Sequence, residues 1–110
     1  MTTVTFHKTK SGEYRGFTCN GHAGFDAYGK DIVCASISVL VINTINSLEE
    51  IVHEKIMVKT DEESGLIDCK FEGPLLDGSK VLMDSLVLGL SQIVGQYGEK
   101  YCKLEFEEIS

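Results

Sequence analysis

Residues 19–38 read CNGHAGFDAYGKDIVCASIS, and this stretch decides how the chain is organised. Its left end closes the run 14–20, in which Phe17 and Cys19 share one face, the alternation of a half-buried strand. Its right end opens a long apolar segment at Asp31. An aspartate there is suited to cap a helix, because its carboxylate accepts a bond from an orphan N–H of the first turn. Between the two, Gly21, Gly24 and Gly29 admit backbone angles closed to other residues, which predicts a loop that can bend sharply or move. The stretch is therefore strand, glycine loop, helix.

Working outward, residues 2–7 alternate with Val4 and Phe6 on one face, and TKSGE supplies a turn, so the first two strands form a hairpin. Residues 31–51 carry Val33, Ile37, Leu40, Val41, Ile45 and Leu48 at helical spacing. Ile32, Ala35, Val39 and Ile42 extend the apolar surface nearly all round the first half of that helix. A helix apolar on most sides is buried on most sides, so one face is expected on a sheet and another against a second copy of the chain. Residues 55–60 and 66–71 flank DEESG and predict a second hairpin. A second helix is predicted over 79–97, with Leu82, Leu86, Leu90, Ile93 and Tyr97 on one stripe and Gly98 placed to end it. Residues 101–107 close as a fifth strand.

The order β-β-α-β-β-α-β predicts an α/β fold, a two-layer sandwich in which a mixed five-stranded sheet carries both helices on one face. Residues 1–110 are read as one domain. With 43% hydrophobic residues the chain builds a core without help from a metal or a disulfide.

Charge and cysteine usage narrow the partners. The net charge of −7 disfavours a nucleic-acid partner, since affinity for a phosphate backbone rests on Lys and Arg. A basic protein or peptide suits that charge, as does plain solubility. No apolar signal region follows Met1, and the longest uninterrupted apolar run, residues 39–42, is too short for a bilayer. No membrane contact and a cytoplasmic location are expected. Cys19, Cys34, Cys69 and Cys102 form no CxxC pair and are expected as reduced thiols.

One constellation carries chemistry. If Asp31 caps the helix, Cys34 stands in its first turn, where unpaired N–H groups favour a thiolate. His22 lies just past the second strand, at the other end of the glycine loop, so the two side chains are candidates for a nucleophile and its base. Lys30 adds positive charge nearby, and Asp26 or Asp31 opposes it or orients the imidazole. Against this, a cysteine on an apolar helix is more often an inert packing residue. Backbone N–H groups around Val33 and Cys34 are candidate oxyanion donors. Ser38, one turn beyond Cys34, either bonds a substrate or bonds back to its own helix. Cys19, Cys69 and Cys102 sit in strands as packing residues, and His7 and His53 as solvated surface.

Two rival readings share the loop. Residues 24–31, GFDAYGKD, approach a phosphate-binding loop, but Asp31 replaces the hydroxyl residue that would hold Mg²⁺. His22, Asp26, Asp31 and Cys34 are possible zinc-ligand types whose spacing matches no common zinc pattern. No metal or cofactor is expected.

The pair GHAG at 21–24 and YGKDIVCASIS at 28–38 resembles the ribosomal-processing cysteine proteases, the Prp family, and the likeness extends over the length and element order of the whole chain. The resemblance implies a cysteine endopeptidase that removes the N-terminal extension of a large-subunit ribosomal protein precursor. It implies Cys34 as nucleophile, His22 as base, a homodimer, a loop mobile until substrate arrives, and an aromatic residue before the cleaved bond. The alternative is a non-catalytic ribosome-assembly adaptor that holds a basic ribosomal protein on its acidic surface.

Overall fold

A computed structural model describes every residue except Phe25, Tyr28, Gly29, Lys30 and Ser110. Gly29, read above as a loop glycine, and four of the eight residues of the phosphate-loop reading lie outside the described residues. The elements are β1 Thr2–Lys8, β2 Tyr14–Asn20, α1 Ile32–Ser47 with a π-helical turn Leu48–Val52, β3 Ile56–Asp61, β4 Leu66–Phe71, α2 Asp77–Tyr97 and β5 Cys102–Glu108. The order is the one expected.

The sheet runs β3-β4-β2-β1-β5. Its neighbours are antiparallel except β1 and β5, which run parallel, so the sheet is mixed. Phe6 stands opposite Phe17 on one side and Phe106 on the other. Alternation turns Val4, Phe6, Phe17, Cys19, Cys69 and Cys102 towards the helices, and all six are buried. Val33, Ile37, Val41, Ile45 and Leu48 meet them from the first helical segment, and Met83, Leu86 and Leu90 from α2. Burying each such aliphatic or aromatic side chain contributes about 1.5–3 kcal/mol, which offsets the helix propensity lost to β-branching in α1.

The helical segment departs from its sequence reading in two ways. Regular helix ends at Ser47, and the following π turn closes at His53, which takes the left-handed φ of 62°. That turn delivers Glu54 to α2, where Oε1 accepts from Leu76 N at 2.9 Å and from Ser79 Oγ at 2.7 Å. Leu76 brings no capping side chain of its own. Glu54 supplies the missing acceptor, and α2 begins at Asp77, earlier than its own stripe suggests. Secondly, in the single chain α1 is buried on one side only. Ile32 and Val39 stand exposed on the outer surface, as do Val81 and Leu88 of α2.

The run 39–42 is too short to cross a membrane, but it lies within a segment of sufficient length and average apolarity. The 21-residue helical segment Ile32–Val52 meets that test by length and composition. The uninterrupted run 39–42 understates it, because polar residues such as Ser36, Asn43 and Asn46 interrupt a stretch whose average stays apolar. Its Val33, Ile37, Val41, Ile45 and Leu48 are spent on the protein core.

The other face of the sheet is polar. His7 is not simply solvated: Nδ1 lies 3.3 Å from Glu107 Oε1 and Nε2 lies 3.2 Å from Thr18 Oγ1. Thr18 Oγ1 in turn donates to Asp68 Oδ1 at 2.8 Å. This chain of bonds ties β5, β1, β2 and β4 together.

Candidate active site

Asp31 adopts extended backbone angles, φ −78° and ψ 100°, and Oδ1 accepts the Cys34 N–H at 2.9 Å. Its carbonyl oxygen accepts the Ala35 N–H at 3.0 Å. This is the geometry of an N-cap, and Asp31 is buried to perform it. Cys34 follows in the first turn, half-buried, at the positive end of the helix dipole.

His22 arrives from the other side. Gly21, with φ at 91°, turns the chain as β2 ends. Its N–H donates to Ser64 O at 3.1 Å, and its carbonyl accepts Thr2 Oγ1 at 3.4 Å. His22 Nε2 then lies 3.3 Å from the carbonyl oxygen of Glu63. The turn between β3 and β4 is thus packed directly against the end of β2. A Cβ added to Gly65 would stand 2.4 Å from Gly21 O and 3.2 Å from His22 Cε1, so only glycine lets the turn come this close.

Two cavities meet at these residues. One of about 540 Å³ lies between α1 and the β3–β4 hairpin and is lined by His22, Cys34 and Ser38. Ile37, Ile42, Ile45, Val58, Leu66 and Ile67 give it an apolar lining, and Asn46, Glu49, Thr60, Asp61 and Glu62 also face it. A second, of about 440 Å³, shares His22, Cys34 and Ser38 and adds Gly24, Asp26, Asp31 and Ala35. The two residues at opposite ends of the glycine loop therefore open onto one continuous groove. Ser38 faces both cavities, Gly21 the first and Gly24 the second. Asp26 accepts the N–H of Ala27 at 2.7 Å. Among the described residues, no three His, Cys, Asp or Glu side chains gather closely enough to hold a metal ion.

The thiols separate by environment. Burial pushes Cys19 up to about 11, with the neighbouring Cys102 and Cys34 adding to it. Burial, then the charges of Asp68 and Glu49, pushes Cys69 up to about 12. Burial also raises Cys102. All four are free, and Cys34 alone is more than marginally exposed. Reading the sequence missed the β3–β4 turn as part of this site. DEESG signalled a turn and nothing in it signalled a docking partner.

The sequence model of the family Cysteine protease Prp matches residues 1–103. This chain belongs to the cysteine protease Prp family. Ribosomal processing cysteine protease Prp of Staphylococcus aureus is 24% identical over 99 residues, covering 90% of this chain and 93% of that protein. The crystal structure of an essential ribosomal processing protease Prp from S. aureus, with a covalently linked product peptide, superposes with a TM-score of 0.91. The two chains are 22% identical, with coverage of 97% here and 100% there. A Streptococcus mutans crystal structure superposes with a TM-score of 0.82 at 25% identity, covering 99% of this chain and 96% of its own. The two-layer fold expected from the order of elements is the fold of both structures, and the protein is a cysteine protease.

Proposed function

We propose that this Prp-family protease is an endopeptidase that removes the N-terminal extension of a large-subunit ribosomal protein precursor, using Cys34 as nucleophile and His22 as general base. The observation that carries the reading is that His22 and Cys34, brought from the end of β2 and the start of α1, line one groove while the other three thiols are buried. His22 takes the proton of Cys34, and the thiolate attacks the scissile carbonyl. The tetrahedral intermediate collapses as His22 returns the proton to the leaving amine. Water then hydrolyses the thioester with His22 again as base. The Cys34 N–H already donates to Asp31, which leaves the Val33 N–H as the candidate oxyanion donor at the helix start.

The groove supports a peptide substrate. Its apolar lining suits a large apolar side chain, and Glu49, Asp61 and Glu62 along it favour encounter with a basic chain such as a ribosomal protein. The exposed apolar side chains Ile32 and Val39 on the outer side of α1 support a homodimer. The free thiols and the ribosomal substrate fit a cytoplasmic location.

Incubation of the precursor with wild type and with Cys34→Ala, read by product mass, tests the proposal. Wild type is expected to release one defined N-terminal peptide, and Cys34→Ala none. Equal cleavage by both removes the nucleophile. Tight binding of the precursor by wild type without any cleavage favours the adaptor reading instead.

A further inference from the structure

A neutral imidazole carries one N–H and one lone pair, and its neighbours decide which nitrogen holds the hydrogen. The Glu63 carbonyl oxygen lies 3.3 Å from His22 Nε2. A carbonyl oxygen only accepts, so Nε2 is the donor and Nδ1 keeps the lone pair. The same turn also packs against the edge of the ring at Cε1. Gly65, at φ +69°, lies so close that a Cβ there would press on His22 Cε1 and on the Gly21 carbonyl.

We propose that the β3–β4 turn is the positioning element of the protease: the Glu63 carbonyl holds the His22 Nε2–H, Gly65 provides a seat free of side chain, and Nδ1 is the nitrogen that exchanges a proton with Cys34. This rests on the reading of His22 as general base. The Cys34 thiol proton passes to Nδ1, and the new S–C bond forms to the scissile carbonyl carbon. The resulting imidazolium keeps its Nε2–H on the Glu63 carbonyl, whose dipole stabilises the positive ring. Nδ1 then gives its proton to the amine as the C–N bond breaks. A backbone carbonyl here does what a buried carboxylate does in Ser-His-Asp hydrolases. Glu63 acts through His22, and Gly65 does so from the wall of the groove that it shares with His22. The glycine at the end of DEESG and the one before His22 are thus one contact, made by two turns that are remote in sequence.

The test compares steady-state cleavage of a precursor peptide across pH for wild type, Gly65→Ala, Gly65→Asn, Gly12→Ala and His22→Ala. Gly12 lies in the β1–β2 turn at φ +86° with nothing within 4 Å of an added Cβ, so Gly12→Ala reports the backbone cost alone. Asn tolerates positive φ but carries the same Cβ. Gly65→Ala and Gly65→Asn are both expected to lower kcat about tenfold or more and to shift the acidic limb of the pH profile, with KM within about twofold. Gly12→Ala is expected to match wild type. Wild-type kcat and profile in Gly65→Ala, or full recovery in Gly65→Asn, overturns the inference. Should the Gly65 variants not fold, the ¹⁵N shifts of the His22 ring in wild type decide: the neutral Nε2–H tautomer is expected, and the Nδ1–H tautomer overturns it. His22→Ala separates the two levels. If it still cleaves, the general-base reading itself falls; if it is inactive while Gly65→Ala is normal, only the positioning role is lost.

Discussion

The carboxylate of Asp31 accepts the backbone N–H of Cys34 at 2.9 Å. The bond that starts the helix is therefore also the bond that fixes the backbone of the proposed nucleophile. A cap and a catalytic turn built on one contact make stability and reactivity fall together when that contact is removed.

Asp31→Ala is expected to lower unfolding free energy by about 1 kcal/mol, the usual cost of losing an N-cap acceptor. Asp31→Asn keeps an oxygen in the same place and should retain most of that stability. Urea denaturation of the two variants checks this. Identical midpoints for Ala and Asn would show that the cap contributes nothing.

The exposure of the thiols predicts a labelling order. A thiol held near 11, as Cys19 is, is ionised only to about one part in a thousand at pH 8. Cys69 lies higher still and is sealed from solvent. Iodoacetamide on the native protein should modify Cys34 first, with Cys19, Cys69 and Cys102 reacting only after denaturation. Peptide mapping by mass follows the order, and four equal rates would contradict it.

The same groups predict sensitivity to alkali. Burial, helped by the hydrogen bond to Asp84 and its charge, pushes Tyr14 from 10.0 up to about 12. Cys19 and Cys69 rise from 9.0 to about 11 and about 12. In each case the folded state holds a proton that the unfolded chain releases. The contribution is fully present below pH 9 and is lost as pH rises from 9 towards 12. Tm measured under reducing conditions should be level near neutrality and fall between pH 9 and 11. Cys69→Ala, whatever its effect at pH 7, should make that fall shallower. A flat Tm over this range would refute the account.

The outer side of α1 predicts an assembly. Ile32 and Val39, two helical turns apart, lie exposed together, 53% and 66% accessible in the single chain. A stable homodimer commonly buries about 1,200–2,000 Å² in total, and an apolar helix face is suited to its centre. Wild type is expected to sediment as a dimer at micromolar concentration and Val39→Glu as a monomer. A wild-type protein that stays monomeric at every concentration removes the dimer.

What was legible in the sequence was local. Alternation of period two in residues 14–20 and helical spacing from Val33 to Leu48 each report one face of one element, and both were read correctly. The capping aspartate and the cysteine three residues later are a local pair as well, so the start of α1 could be placed from chemistry alone. The end of α1 could not, because its π turn is held by contacts that lead to Glu54 and on to α2.

By itself, then, the sequence determined the order of strands and helices, the cap on α1 and the presence of His22 and Cys34 at the two ends of a glycine loop. Only the tertiary structure decided that β4 lies beside β2, so that the turn carrying Glu63 and Gly65 comes to rest against a histidine 41 residues earlier. The reason is physical. Periodicity and capping follow from bonds between near neighbours, whereas strand order follows from which distant faces bury the most apolar surface together. The support under His22 is a product of that second, global choice.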